Sequence, residues 1–276
     1  MTHPDVPKAD IDSKDRSMRD SSEAQKDILT EAGLATAGIS DFVRSSCPLC
    51  GECDSVAFHG DSKRHYLRCR CCRLVYVPSG YFLTEADEKR YYDLHQNDPG
   101  DVGYRRFLSR LARPLADKLQ IGACGLDFGC GPGPTLSVMM EEAGFAMDIF
   151  DPIYASSKDV WNKRYDFVTA SEVVEHLQRP MPELQRVWEV LRPGGWLGIM
   201  TKRVIDANAF ARWHYKDDPT HVAFFSIETF EWLRSYWAAE LEVVGDDVVL
   251  LRKATDDKPC DRADRSAIDS SEFEPA

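Results

Sequence analysis

The apolar runs in this chain stop at strand length, as in Asp247-Val248-Val249-Leu250-Leu251, well short of the roughly 20 residues that cross a bilayer. No membrane segment is expected. The first residues, MTHPDVPKADIDSKDR, contain no apolar stretch of the kind a secretory signal needs, and the expected compartment is the cytoplasm. Positive charge is also short: 34 Lys and Arg stand against 46 Asp and Glu, a formal net charge of -12. That balance weighs against broad attraction to nucleic-acid phosphates. Apolar residues make up 43% and aromatics 11%, enough for a sizeable core. Cysteine is plentiful, nine in all. In a reducing compartment they do not suggest a disulfide framework, and their spacing points to metal.

Residues 1–45 and 255–276 are polar, rich in Asp, Ser and Lys, and are expected to be disordered tails, the first with one short helix in SSEAQKDILTEAGL. Three textures lie between them. Residues 46–80 hold most of the cysteines. Residues 81–118 place Phe107, Leu108, Leu111, Leu115 and Leu119 at helical spacing and read as a helical linker or lid. Residues 119–254 alternate strand and helix signals: GLDF, then TLSVMMEEAG ending at Gly144, then FAMDIFD, YDFVTAS, MPELQRVWEVLRPGG, WLGIMT and a Ser-capped SIETFEWLRSYWAA. LEVVG and VVLLRK close the series as a hairpin. Alternation of this kind predicts an α/β fold with a doubly wound, mostly parallel sheet.

In such a sheet the ligand lies beyond the carboxyl ends of the strands, at the switch point beside the first. There stands GLDFGCGPGP, residues 125–134. Glycines remove Cβ atoms, so the backbone turns sharply and can approach a ligand closely. A dinucleotide loop, G-x-G-x-x-G, would put its third glycine at position 134, which is Pro134; the third glycine is Gly133. Asp127 followed by Gly129, Gly131 and Gly133 is instead similar to the D/E-x-G-x-G-x-G loop of class I S-adenosylmethionine-dependent methyltransferases. YDFV through Glu172-Val173-Val174-Glu175-His176-Leu177 resembles that family's fourth strand and following loop, and Leu191-Arg192-Pro193-Gly194-Gly195 its turn before the fifth. The resemblance covers roughly residues 119 to 253.

The resemblance implies a Rossmann-like methyltransferase fold with S-adenosyl-L-methionine at Asp127, Gly129, Gly131 and Gly133. Asp151, at the end of the second strand, is expected to hold the ribose hydroxyls through both carboxylate oxygens, with Asp148 its nearby competitor. Glu172 is expected either near the methionine part of the cofactor or as a helix cap. Only PIYASSKDVWNKR separates the second strand from YDFV, too little for a full third strand with its helices, so the sheet edge is expected to be abbreviated there. This leaves the adenine contact unassigned.

Cys47-x-x-Cys50 and Cys69-x-x-Cys72 are two knuckles about twenty residues apart, the spacing of a four-cysteine zinc ribbon. Four thiolates close the coordination shell, so the ion would be structural. Cys53 is a rival to the first pair through a shorter C-x-x-C, Cys71 is expected to point away, and His59 and His65 are less typical substitutes. The ribbon and the sheet are expected to have separate cores, with metal loss loosening only the ribbon.

By the resemblance, the segment after the fifth strand lines the acceptor pocket and the residues before the sheet cover the cofactor. Trp213 to Phe225 mixes Trp213, Tyr215, Phe224 and Phe225 with His214, Thr220 and His221, as small-ligand pockets do. His221, His176 and Tyr215 are the catalytic candidates, imidazole because it titrates near neutrality; His176 has packing as its other reading. The expected function is methyl transfer to a small-molecule acceptor. Two other readings stand beside it: RNA modification with Lys63, Arg64, Arg68, Arg70, Arg73 and Tyr66 as a docking patch, and cofactor binding without catalysis. Nothing in the chain predicts its oligomeric state.

Overall fold

The computed structural model describes residues 46–94 and 97–255; both polar tails, the helix read in SSEAQKDILTEAGL, and His95 and Gln96 lie outside the described residues. Three short strands lead, β1 (Ser55–Gly60), β2 (His65–Cys69) and β3 (Val75–Tyr76). Helices α1 (Glu85–Tyr92) and α2 (Val102–Ala116) follow. Next come β4 (Cys124–Phe128), α3 (Thr135–Glu142), β5 (Ala146–Phe150), β6 (Tyr165–Ser171), α4 (Pro180–Val190) and β7 (Leu191–Met200). The remainder holds α5 (Ala207–Ala211), β8 (Ala223–Phe224), α6 (Ile227–Tyr236), β9 (Glu240–Val244) and β10 (Val248–Arg252).

Six strands form the main sheet in the order β5-β4-β6-β7-β10-β9. The first four are mutually parallel, and β10 runs antiparallel to both β7 and β9. This is the doubly wound sheet with its terminal hairpin. Between β5 and β6 the described chain has only a single turn of 3-10 helix, Lys158–Asn162, and no strand lies outside β5, so the edge is abbreviated where the sequence is short. The strand period of two divides the core. Val248 and Leu250 face Leu108, Leu111 and Leu115 of α2 and Leu136 and Met140 of α3. Val249 and Leu251 belong to the opposite side, with Leu184 and Val187 of α4 and Phe230 and Leu233 of α6. Each such side chain, fully buried, contributes about 1.5–3 kcal/mol.

Two elements differ from their reading. The strand read as WLGIMT begins earlier, at Leu191: Leu191 pairs with Tyr165 and Trp196 with Phe167, so residues 192–195 bulge from the ladder, with Gly194 at φ 77°. RPGG is a turn, as its composition says, but one inserted into a strand. Helix α2, read as linker or lid, packs flat on the sheet. Its leucines form one apolar stripe, and Gly198 opposite leaves them room: a Cβ there would fall 2.9 Å from Leu111 Cδ1.

The cysteine-rich segment is joined to the rest by a second sheet, in the order β1-β2-β3-β8. Val75 pairs with Phe224 and Tyr76 with Ala223. The buried Cys47, Leu49, Leu67, Cys69, Cys72 and Leu74 belong to the same apolar cluster as Phe225, Phe230 and Leu233. The expectation of separate cores is therefore overturned. A ribbon this small cannot enclose a core of its own, and it shares one instead.

Candidate functional site

The loop leaving β4 takes left-handed backbone at Gly129 (φ 73°) and Gly131 (φ 65°). The three glycines are needed for different reasons. A Cβ on Gly129 would lie 2.5 Å from Val173 Cγ2, and one on Gly133 would lie 1.9 Å from the Asn97 carbonyl oxygen. At Gly131 the nearest atom, Asn97 Nδ2, is 3.6 Å away, so there the demand visible in the protein is conformational. Asn97 thus sits directly over the loop, on the segment joining α1 to α2. Beneath it Asp127 is buried and accepts a 2.7 Å hydrogen bond from Thr169 Oγ1; burial pushes its carboxyl up to about 7. Asp127 fixes the base of the loop.

Asp151 is buried at the end of β5. Its Oδ2 accepts from the Gly131 amide at 3.1 Å, and its Oδ1 from the Ile153 and Tyr154 amides at 2.8 and 3.0 Å. Three of about four lone-pair positions are thus taken, which leaves one for a hydroxyl. Asp148 is engaged elsewhere, with Lys163 Nζ at 2.7 Å and the Tyr165 hydroxyl at 2.8 Å. Glu172 caps no helix; the 3-10 turn Val174–His176 and α4 both begin without a side-chain cap. Instead Glu172 has φ 54° and donates its amide to the Met200 carbonyl at 2.7 Å. Non-glycine residues held this way concentrate at functional sites. Tyr104, at the start of α2, faces the same acids: burial first, then the charges of Asp127 and Glu172, push its hydroxyl up to about 12.

One turn beyond Glu172 lies a residue to which its place in the sequence assigns no role. Glu175 is completely buried. It accepts hydrogen bonds from Thr201 Oγ1 at 2.9 Å and from the Tyr215 hydroxyl; burial and then the charge of Glu172 push its carboxyl up to about 8. Around it the structure assembles all three catalytic candidates. The His176 and His221 rings are 4.6 Å apart, and Tyr215 is 4.2 Å from His221. His221 Nδ1 lies 2.7 Å from the Tyr215 carbonyl, and Tyr92 of α1 meets the His176 ring edge-on at 5.4 Å. The signal available in the sequence was the acid directly preceding His176.

Other residues of the expected acceptor wall fall elsewhere. His214 is exposed, Phe224 is buried with Tyr66 and Phe210, and Phe225 is buried with Phe230; β8 turns those aromatics into core. The ribbon supports the wall. Arg64, in the turn between β1 and β2, is buried and donates to the carbonyls of Lys216, Asp218 (2.8 Å), Pro219 (3.2 Å) and His221 (2.9 Å). Tyr66 adds a 3.2 Å bond to the Lys216 carbonyl. Two members of the basic docking patch are therefore inside the protein, a correction with a simple cause: the loop at 216–221 presents several carbonyls to one guanidinium, which has five donors.

The thiols of Cys47, Cys50, Cys69 and Cys72 all lie within 4.8 Å of one another, with Cys47 and Cys72 3.5 Å apart and Cys50 and Cys69 3.4 Å apart. Four sulfurs about 2.3 Å from one tetrahedral ion stand about 3.8 Å from each other, so the cluster fits zinc. Cys53 and Cys71 are exposed and outside it, as are His59 and His65. No helix among the described residues is long and apolar enough to cross a membrane.

No curated protein matches the chain. Solved structures do. An O-methyltransferase family protein from Burkholderia thailandensis is similar over 88% of this chain and 72% of its own, at 13% identity and TM-score 0.44. A SAM-dependent methyltransferase from Thermotoga maritima is similar over 55% and 94%, at 14% identity and TM-score 0.34. The methyltransferase domain family matches residues 101–244, from the cap of α2 through β9. That span is more than half of the chain and contains the glycine loop, Asp151, Glu172 and the Glu175 cluster, and the chain belongs to this family as a class I S-adenosylmethionine-dependent methyltransferase.

Proposed function

We propose that the protein transfers a methyl group from S-adenosyl-L-methionine to a small-molecule acceptor seated between the glycine loop and the His176–His221 cluster. The observation that carries this reading is the chemistry of the loop's surroundings. Asp151 and Glu172 stand at the ends of β5 and β6, the strands on either side of β4 and its loop, with the buried carboxyls of Asp127 and Glu175 behind them, and an acidic edge of this kind suits a cationic sulfonium and opposes a dinucleotide diphosphate. The backbone of Gly131 and Gly133 would hold the cofactor, with the remaining lone pair of Asp151 for a ribose hydroxyl and Glu172 for the amino-acid end. Bound there, the cofactor supplies an electrophilic methyl group.

The chain's own part is alignment and exclusion. Tyr92 lies against His176 and Asn97 lies over the loop, so an acceptor held between them in line with the methyl group would be shielded from water. His221 stands at the acceptor side of the cluster, its ring orientation fixed by the Tyr215 carbonyl. Tyr215 orients Glu175. We also propose one structural zinc at Cys47, Cys50, Cys69 and Cys72, which holds the ribbon, and through Arg64 the wall, in place.

Titration calorimetry with the full chain tests the reading. S-adenosylmethionine should bind, NAD should not, and Gly131→Val should abolish binding, because a β-branched residue does not adopt φ 65° without strain. Binding of NAD alone, or normal binding by Gly131→Val, would overturn it.

A further inference from the structure

Glu175, His176 and His221 each place one ligand atom within 4.8 Å of the other two. We propose that these three residues bind a divalent first-row transition-metal ion, separate from the ribbon's ion, whose open positions take an oxygen of the methyl acceptor. The role in methylation rests on the function proposed above; the metal site rests on geometry alone. Bonds of about 2.0–2.2 Å to nitrogen and oxygen separate the ligands of one ion by about 3–4.4 Å, so closing this cluster asks only for small side-chain rotations. Two imidazoles and one carboxylate with positions left open is a set that transition ions favour over magnesium.

The surroundings prepare the ligands. A carbonyl oxygen only accepts hydrogen bonds, so the 2.7 Å contact of His221 Nδ1 with the Tyr215 carbonyl puts the ring's proton on Nδ1. Nε2 is then the ring atom an ion would take, displacing any proton it shares with the Asp218 carboxylate, whose Oδ2 lies 3.8 Å away; binding of the ion would release that proton. Glu175 is oriented by Thr201 and Tyr215 while keeping lone pairs for an ion. Outer bonds of this kind, a backbone carbonyl on the histidine and hydroxyls on the carboxylate, are the usual supports of metal ligands. A cation here also accounts for an acid buried beside Glu172. An acceptor hydroxyl bound to such an ion would ionise more readily than in water, its proton passing to solvent; the oxygen would then form its bond to the methyl carbon as the sulfur–methyl bond breaks, leaving S-adenosylhomocysteine, so the acceptor class is a hydroxyl compound and the reaction O-methylation.

Cobalt(II) tests this, because its visible spectrum reports its ligands. Added to zinc-loaded full-length protein, one Co²⁺ per chain should bind and give ligand-field bands without thiolate charge transfer, and catechol, a small oxygen chelator, should shift those bands. His176→Gln and His221→Ala should lose the bands. Thr201→Val, which removes only an outer support, should weaken cobalt binding by about 10- to 100-fold. Circular dichroism of each variant excludes unfolding as the cause, and the partly exposed His176 position makes at least one variant safe for the core. Absence of cobalt binding, or bands unchanged in both histidine variants, overturns the site; bands that catechol leaves unmoved overturn the assignment of its open positions to an oxygen acceptor. Failure of S-adenosylmethionine to bind the same preparation by calorimetry is a separate signal, and it strikes the methyl-transfer reading instead.

Discussion

Glu172 holds a backbone conformation, φ 54°, that costs a non-glycine residue about 1–3 kcal/mol. Its amide bond to Met200 keeps the carboxylate at the mouth of the loop in spite of that cost. Glu172→Gly should relieve the strain and raise the unfolding free energy by up to about 1 kcal/mol after the larger entropy loss of glycine, while weakening S-adenosylmethionine binding by about tenfold or more. Glu172→Ala, which keeps the strain and loses the charge, should bind as weakly with no gain in stability. Thermal unfolding and calorimetry on the two variants decide it; a glycine variant that is less stable than the parent would defeat the strain argument. The same residue shows how far the sequence could be read. In Ser171-Glu172-Val173-Val174-Glu175-His176 both acids look alike, and only the left-handed step at Glu172, followed by a 3-10 turn, sends Glu175 into the interior. Spacing does not reveal such a step, so the more deeply buried acid went unnoticed.

At the scale of elements, strands, helices and the glycine loop were legible because periodicity and turn chemistry are local. The pairing of β3 with β8 was not legible, since two-residue strands carry no periodic signal and their partners are far apart in sequence. That pairing changes what the ribbon does. Arg64 and the four carbonyls it serves make the ribbon a support for residues 216–221. Arg64→Met should destabilise the protein by at least about 2 kcal/mol, the scale of one charge-assisted hydrogen bond, as measured by denaturant unfolding. Removal of the zinc proposed for the ribbon with a chelator should increase hydrogen exchange at the amides of His221 and Val222 as well as at Cys69 and Arg70. Protection unchanged at His221 and Val222 would show that the support does not depend on the metal.

Across the whole molecule, one ion pair ties the ribbon to the segment before β8 at the far end of the same contact: Lys216 Nζ lies 2.9 Å from Asp61 Oδ2. Burial alone would raise the Asp61 carboxyl, but the Lys216 ammonium and the Arg64 and Lys63 amides outweigh it and hold it down at about 2. A depressed carboxyl stabilises the fold above its unfolded value, about 3.9, and that contribution is lost as pH falls through about 2. The stability of the parent relative to Asp61→Asn should therefore shrink between about pH 4 and 2 and be constant from pH 5 to 7, as denaturant titrations at each pH would show. A difference that persists unchanged to pH 2 would remove the pair from the account. The strand that completes the smaller sheet also sets a timetable for synthesis. Tyr76 leaves the ribosome long before its partner Ala223, and at roughly 5–20 residues per second the gap is roughly 7–30 s. For that interval the nascent ribbon shows an unpaired strand edge and an apolar face with no cover, so its yield in the cell should depend on chaperones or on prompt zinc loading more than its final stability suggests.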